Sequence, residues 1–186
     1  MKPTRYVAFL RAINVGGHVV KMDVLRREFE ALGLRNVETF IASGNVVFDA
    51  AERDGARLES KIAARLERTL GYAVATFLRT TGELAEIAAH RPFPESATKA
   101  KNASLYVGFM AERLSPAAKK TLLALRTKTD DLHTSGREVY WLSLAGFSKS
   151  EFSSARMERT LGLEATFRNV TTVRKMAAKF PAPETE

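Results

Sequence analysis

The sequence predicts an α/β protein of the α+β plait type: two tandem copies of a β-α-β-β-α-β unit, each closed by an extra helix. Three observations predict it. Short apolar runs of strand length alternate with stretches whose apolar residues recur at helical spacing. Four short stretches recur in the same order at offsets near 90 residues. Each copy opens on a strand that is apolar at every position, which suits an interior strand covered on both faces. With 186 residues and 45% apolar content, the chain is long enough for two small domains, each with a core.

In the first copy, Tyr6-Val7-Ala8-Phe9-Leu10 reads as a strand and Asn14-Val15-Gly16-Gly17 as the loop after it. Met22, Leu25, Phe29 and Leu32 recur as one helix face, and Gly33 stands where a C-capping glycine belongs. Val37 to Ala42 reads as a second strand, Ser43-Gly44 as a two-residue hairpin turn and Asn45 to Phe48 as the return strand. Leu58, Ile62, Leu66 and Leu70 mark a second helix that ends at Gly71. Tyr72 to Leu78 reads as the fourth strand and Thr81 to Ala89 as the closing helix.

A polar connector with Pro92 and Pro94 ahead of it leads to the restart. Leu105-Tyr106-Val107-Gly108-Phe109 echoes the first strand, and Ser115-Pro116 starts a helix with Ser as N-cap and Pro in the first turn. Thr134-Ser135-Gly136-Arg137 matches Ala42-Ser43-Gly44-Asn45. Thr160-Leu161-Gly162 matches Thr69-Leu70-Gly71. Ala165-Thr166-Phe167 matches Ala75-Thr76-Phe77. Ala177-Ala178 with Pro181 and Pro183 matches Ala88-Ala89 with Pro92 and Pro94. A period this long marks duplication of a domain rather than a solenoid repeat. The reading is a duplicated ferredoxin-like unit, with halves at 1–94 and 103–186 joined by a connector at 95–102. The sheet of the partner copy is the expected cover for the face of each sheet that carries no helices. Tyr6, Phe9, Phe48, Tyr106, Phe109, Tyr140 and Trp141 are then core residues rather than stacking platforms for RNA.

Composition narrows the function classes. No cysteine is present, which excludes disulfides, thiolate metal sites and cysteine nucleophiles. No apolar run has the length of a membrane span, and the N-terminal stretch carries no small-residue cleavage site. The expectation is a cytoplasmic protein with no membrane partner. Lys and Arg number 29 against 21 Asp and Glu, a net charge of +8 with a pI near 9.9. Between Lys99 and Lys149, nine basic residues face four acidic ones. Such an excess attracts polyanions through counterion release. Lysines and arginines scattered on helix faces for solubility would give the same totals.

Four stretches carry a resemblance. They are Tyr6 to Gly17, Thr39 to Phe48 with Ser43-Gly44-Asn45, Ser148-Lys149, and Ala165 to Val173. Together they resemble the domain-of-unknown-function 1697 family. The resemblance implies two α/β-plait halves and carries no assigned activity. Members usually have Trp after the Arg-Asn pair, where this chain has Val170, and Lys after the Gly pair, where it has His18.

Arg11, Asn14, Gly16 and Gly17 place polar groups and backbone N–H groups between a strand and a helix, where an anion can be cradled. The stretch is neither a dinucleotide fingerprint nor a Walker loop, and a loop that needs glycine for positive φ reads the same way. Ser43 and Asn45 read first as turn chemistry; no G-x-S-x-G surrounds Ser43. Ser148-Lys149 precedes a helix expected to start near Ser150. Arg168-Asn169 precedes the last helix, with Thr171 or Thr172 as its N-cap. Asp130, Asp131 and His133 are close in sequence, but a strand turns them to both faces, so no metal site is expected there. No cofactor is implied. Taking the first and third strands of each copy as parallel, the Arg11–Gly17 loop and Ser148-Lys149 fall at corresponding ends. Ser43–Asn45 and Arg168–Thr172 then fall at the opposite ends. The expected site is a groove between the halves that holds a phosphate-bearing ligand, a nucleotide or a nucleic-acid backbone. Arg11, Lys149 and Arg168 would supply charge, and Asn14, Asn45 and Asn169 would orient the ligand. An enzyme acting on a small anionic metabolite, or an interaction module without catalysis, is the alternative.

Overall fold

The computed structural model describes residues 3–14, 19–146 and 149–183. The chain forms two compact units, Met1–Glu86 with Met176–Glu186, and Ile87–Lys175. Among the described residues no helix is long and apolar enough to cross a membrane.

The first unit runs β1 (Thr4–Leu10), α1 (Met22–Glu30), β2 (Arg35–Thr39), β3 (Asn45–Ala50), α2 (Gly55–Leu70), β4 (Thr76–Thr80) and the start of α3 (Thr81–Ala89). Its sheet has the order β2-β3-β1-β4 with every neighbouring pair antiparallel. The second unit runs α4 (Glu95–Thr98), β5 (Ser104–Phe109), α5 (Pro116–Leu123), β6 (Asp130–Ser135), β7 (Glu138–Ser143), α6 (Ser154–Leu161), β8 (Thr166–Asn169) and the start of α7 (Val170–Lys179). Its sheet repeats the first, β6-β7-β5-β8, again all antiparallel. The unit boundary falls at Glu86–Ile87 in α3 and at Lys175–Met176 in α7, equivalent points of the two closing helices.

The interior strands behave as their composition demands. Tyr6 to Leu10 are all buried, on both faces of β1. On one face Ala8 and Leu10 join Leu25, Phe29, Leu58, Ile62 and Leu66 from α1 and α2 in one apolar cluster. On the other, Val7, Phe9 and Val47 are 0% exposed. Burial of one such side chain stabilises the fold by roughly 1.5–3 kcal/mol. In the second unit Trp141, Phe152 and Met157 centre the helix-side cluster, with half-buried Tyr106 stacked on Trp141 at 4.9 Å. Helix ends follow local chemistry. Asp54 caps α2 by accepting from Arg57 N at 3.0 Å, and Gly71 closes it at φ +79°.

Several boundaries differ from expectation. β2 stops at Thr39, so the turn before β3 spans residues 40–44 rather than two residues. Asn45 causes this: its Nδ2 donates to Phe40 O at 3.1 Å while Phe40 N donates to Asn45 O, which closes a wider loop. β4 is Thr76–Thr80, later than Tyr72–Leu78. The 95–102 connector contains a helical turn, α4. α6 starts after Ser153, whose Oγ accepts from Arg156 N; Ser150 is already engaged with Asp130 and Phe152. α7 is capped by Asn169, whose Oδ1 accepts from Thr171 N at 2.8 Å, not by Thr171 or Thr172. The first and third strands are antiparallel, while β1 and β2 share a direction because α1 returns the chain before β2 begins.

Strand register also corrects one match between the copies. Ala8 pairs with Leu78 and Gly108 with Phe167, so the partner of Phe167 is Leu78, not Phe77. A slip of one residue moves a side chain to the other face. The exchange is volume-compensated. A Cβ on Gly108 would lie 2.6 Å from the Phe167 ring, so the larger ring in the second unit requires the smaller residue beneath it. Gly108→Ala is expected to destabilise by about 1–3 kcal/mol through overpacking. Adding Phe167→Leu, the first unit's Ala–Leu pair, should recover part of that loss. Urea unfolding of both single variants and the double variant measures the coupling.

Candidate functional site

In the first unit the loop after β1 and the 40–44 loop meet at one end of the sheet, because β1 and β2 run the same way. The expectation that Arg11 and Ser43–Asn45 lie at opposite ends is therefore corrected. The two loops lock together. Leu10 N donates to Gly44 O at 2.8 Å, and Asn14 Nδ2 donates to Ala42 O at 2.8 Å. Asn14 Oδ1 accepts from Val20 N at 2.7 Å. Asn45, 0% exposed, donates to Phe40 O and to Ser43 Oγ. Gly44 has φ +72°, and a Cβ there would lie 2.8 Å from Ile13 Cβ. Asn14, Ser43 and Asn45 thus serve the loops themselves, and Asn45 has no surface to offer a ligand. Arg11 stands half-buried just past β1, with its N–H on Ala75 O. Gly16 and Gly17 lie outside the described residues.

In the second unit β7 and β8 both run against β5. The end of β7, the end of β8 and the start of β5 therefore share one end of the sheet. This again corrects the expected placement: the stretch that leads to Lys149 leaves the sheet at the end where Arg168–Thr171 lie. Lys149 is exposed, with its N–H on Gly146 O, and Ser148 lies outside the described residues. Arg168 pairs across from Val107 as Arg79 does from Val7. Its Nη1 donates to Thr166 Oγ1 at 2.8 Å and to Phe167 O at 2.9 Å. Burial pushes Arg168 down to about 10, which leaves it charged at neutral pH.

A cavity of about 600 Å³ opens at this end, lined only by residues of the second unit. Asn169 and Thr171 line it, as the sequence reading proposed for a ligand; Lys149 and Arg168 are not in its wall. Its charged residues are Arg91, Lys99, Arg174 and Glu95, none of them among the expected site residues. Lys99 is paired with Glu95 across one helical turn. Arg91 donates through Nη1 to Ala88 O and His90 O. Arg91 and Arg174 form no ion pair among the described residues. Partial burial, and then the neighbouring charge of Arg91, lowers the Arg174 pKa. Pro92, Phe93, Leu105 and Val170 supply the apolar part of the wall. Val170 is the position at which the family resembled usually has Trp, so the wall offers no indole there.

One signal for the arginines is visible once the closing helices are superposed by register. Thr80 corresponds to Asn169, so Glu83, Ala85 and Glu86 of α3 correspond to Thr172, Arg174 and Lys175 of α7. An acid gives way to a base at Glu86–Lys175, Glu83 gives way to Thr172, and Arg174 stands where the first copy has Ala85. Arg91 and Lys99 have no such signal: Arg91 lies just past α3, opposite Phe180 of the second copy, and Lys99 lies in the connector.

A profile described as a protein of unknown function, DUF1697, matches residues 3–140. The chain belongs to this family. The match includes both locked loops and the Arg91–Leu105 side of the cavity, and it stops before β8 and α7. Among solved structures, the conserved bacterial protein SP0830 from Streptococcus pneumoniae is similar in fold. Its TM-score is 0.73 at 23% identity, over 97% of this chain and 99% of that one. No curated protein matches the chain.

Beside this end of the sheet, Asp130 is a buried carboxylate held by neutral donors. Oδ1 accepts from Trp141 Nε1 at 2.8 Å and from Ser150 Oγ; Oδ2 accepts from Thr127 Oγ1 at 2.8 Å. Burial opposes its ionisation, but the bonds from Ser150, Trp141 and Thr127 outweigh it and hold the carboxyl below its ordinary 3.8. Asp131, the next residue on β6, turns to the other face and pairs with Arg126 Nε at 2.7 Å. The Asp130 contribution is complete above pH 4 or so and fades as pH falls through the lowered value. Asp130→Asn sets an amide N–H₂ against donors and is expected to cost about 2–3 kcal/mol at pH 7. In urea titrations the gap between variant and parent should narrow at pH 3.

Proposed function

We propose that the second unit binds a phosphate-bearing ligand in the Arg91–Arg174 cavity, on a scaffold of two ferredoxin-like plaits produced by duplication. The observation that carries this reading is the pair of neighbouring guanidiniums in a cavity wall, with no carboxylate paired to either among the described residues. Two like charges held together repel, and a dianionic phosphate relieves that repulsion while accepting bidentate hydrogen bonds from each arginine. Lys99 adds a third positive charge, screened in part by Glu95. Asn169 and Thr171 bring polar groups to the same wall, at the start of α7, where the helix dipole favours negative charge. The strand register supports the plait reading, since the two sheets repeat one order and one set of pairings.

Calorimetric titration with inorganic pyrophosphate at low and moderate salt tests the reading. Binding that weakens as salt rises, and at least tenfold with Arg174→Ala, is the expected result. Equal affinity of Arg174→Ala and the parent would remove the cavity from the reading.

A further inference from the structure

We infer that the ligand of this cavity is a small phosphate monoester with an apolar or aromatic body, of mononucleotide size, rather than a polymer; this rests on the phosphate reading above. The wall combines two chemistries at close spacing. Arg174 follows Val170 by four residues on α7, so the two side chains lie one above the other on the same helix face. Arg91 is followed directly by Pro92 and Phe93. A phosphate held by the arginines therefore has apolar surface beside it for the rest of the molecule. A volume of about 600 Å³ lies in the range of small-molecule pockets, about 300–1,000 Å³. A nucleic-acid strand would instead call for exposed aromatic platforms on which successive bases stack. Phe93, the aromatic in this wall, is 8% exposed.

The duplication supplies an internal comparison. In the first copy the same helix start is occupied by the chain's own carboxylate. Glu83 Oε2 accepts from Thr80 N at 2.8 Å, and Thr80 Oγ1 accepts from Glu83 N at 3.1 Å, a reciprocal capping box. In the second copy Thr172 stands at the Glu83 position, and Arg174 and Lys175 stand where the first has Ala85 and Glu86. Loss of the internal carboxylate and gain of cations occur on one helix, and Arg174 of that helix lines the cavity. The second copy is thus arranged to take an anion from outside, where the first carries its own.

The test is calorimetric titration of the full chain with adenosine monophosphate and ribose 5-phosphate, which share a phosphate monoester and differ in the aromatic body. Adenosine monophosphate is expected to bind at least tenfold more tightly. Val170→Thr, which keeps the β-branched shape, should weaken adenosine monophosphate severalfold and leave ribose 5-phosphate unchanged. Thr172→Glu, which restores the first copy's carboxylate, should weaken both at least tenfold with an unchanged melting temperature. Equal affinity for the two compounds overturns the inference and leaves the phosphate reading standing. Binding of a twelve-residue oligothymidylate with a steep salt dependence, and of neither small compound, overturns it in favour of a polymer. No binding of the small compounds, of the oligonucleotide or of pyrophosphate overturns both readings.

Discussion

Val7 and Val107, each 0% exposed, sit on the interior strands β1 and β5, and much of the molecule follows from that exclusion of water. A strand buried on both faces cannot carry polar side chains without partners for them. β1 accordingly places Val7, Ala8 and Phe9 at 0% exposure in succession. The rule holds even where it is broken. Arg79 and Arg168 lie directly across from these valines, and each turns its guanidinium back to the carbonyl of the preceding residue, Leu78 or Phe167. With the strand interiors closed to ligands, accessible chemistry moves to the loops and helix starts at the ends of each sheet.

The two ends described above use the same materials differently. In the first unit the polar side chains are spent on the fold. Asn14 spans from Val20 to Ala42, and Asn45 ties Phe40 to Ser43. Gly44 lets the loops approach to a distance that no Cβ would permit. This gives the Leu-Arg-x-Ile-Asn and Ser-Gly-Asn-Val stretches a structural reason to occur together, since each holds the other's loop. In the second unit the cavity wall keeps two guanidiniums without carboxylate partners among the described residues. The polar side chains that order loops in the first unit have their counterpart in a charged cavity wall in the second.

The two units also differ in packing. Ala8 under Leu78 and Gly108 under Phe167 fill one volume in two ways. The hairpins differ more. Gly136-Arg137 forms the two-residue turn expected of both copies, with Gly136 at φ +60°. The loop at 40–44 is wider, and Ile41 within it adopts φ +51°, a conformation β-branched residues rarely take. The buried Asn45 side chain holds that loop, so a polar residue in the core sets a backbone path that turn propensity alone would not.

From residues alone one could read the repeated α/β pattern of the two halves, the buried opening strand β1 and the capping glycines at Gly71 and Gly162, because each depends on neighbours in sequence. Asn169 and Thr171 were legible for the same reason as polar residues at a strand-to-helix junction, and both line the cavity. Strand direction and register were not legible. The error over parallel strands and the one-residue slip at Phe167 both concern which residue lies across a strand gap, and hydrophobic pattern does not encode that. The arginine pair escaped for a related reason. Arg91 and Arg174 are far apart in the chain, and only the return of β8 beside β5 brings the segment after α3 and the last helix to one cavity. Local chemistry is written in sequence order; the meeting of distant charges is decided when antiparallel strands bring their ends together.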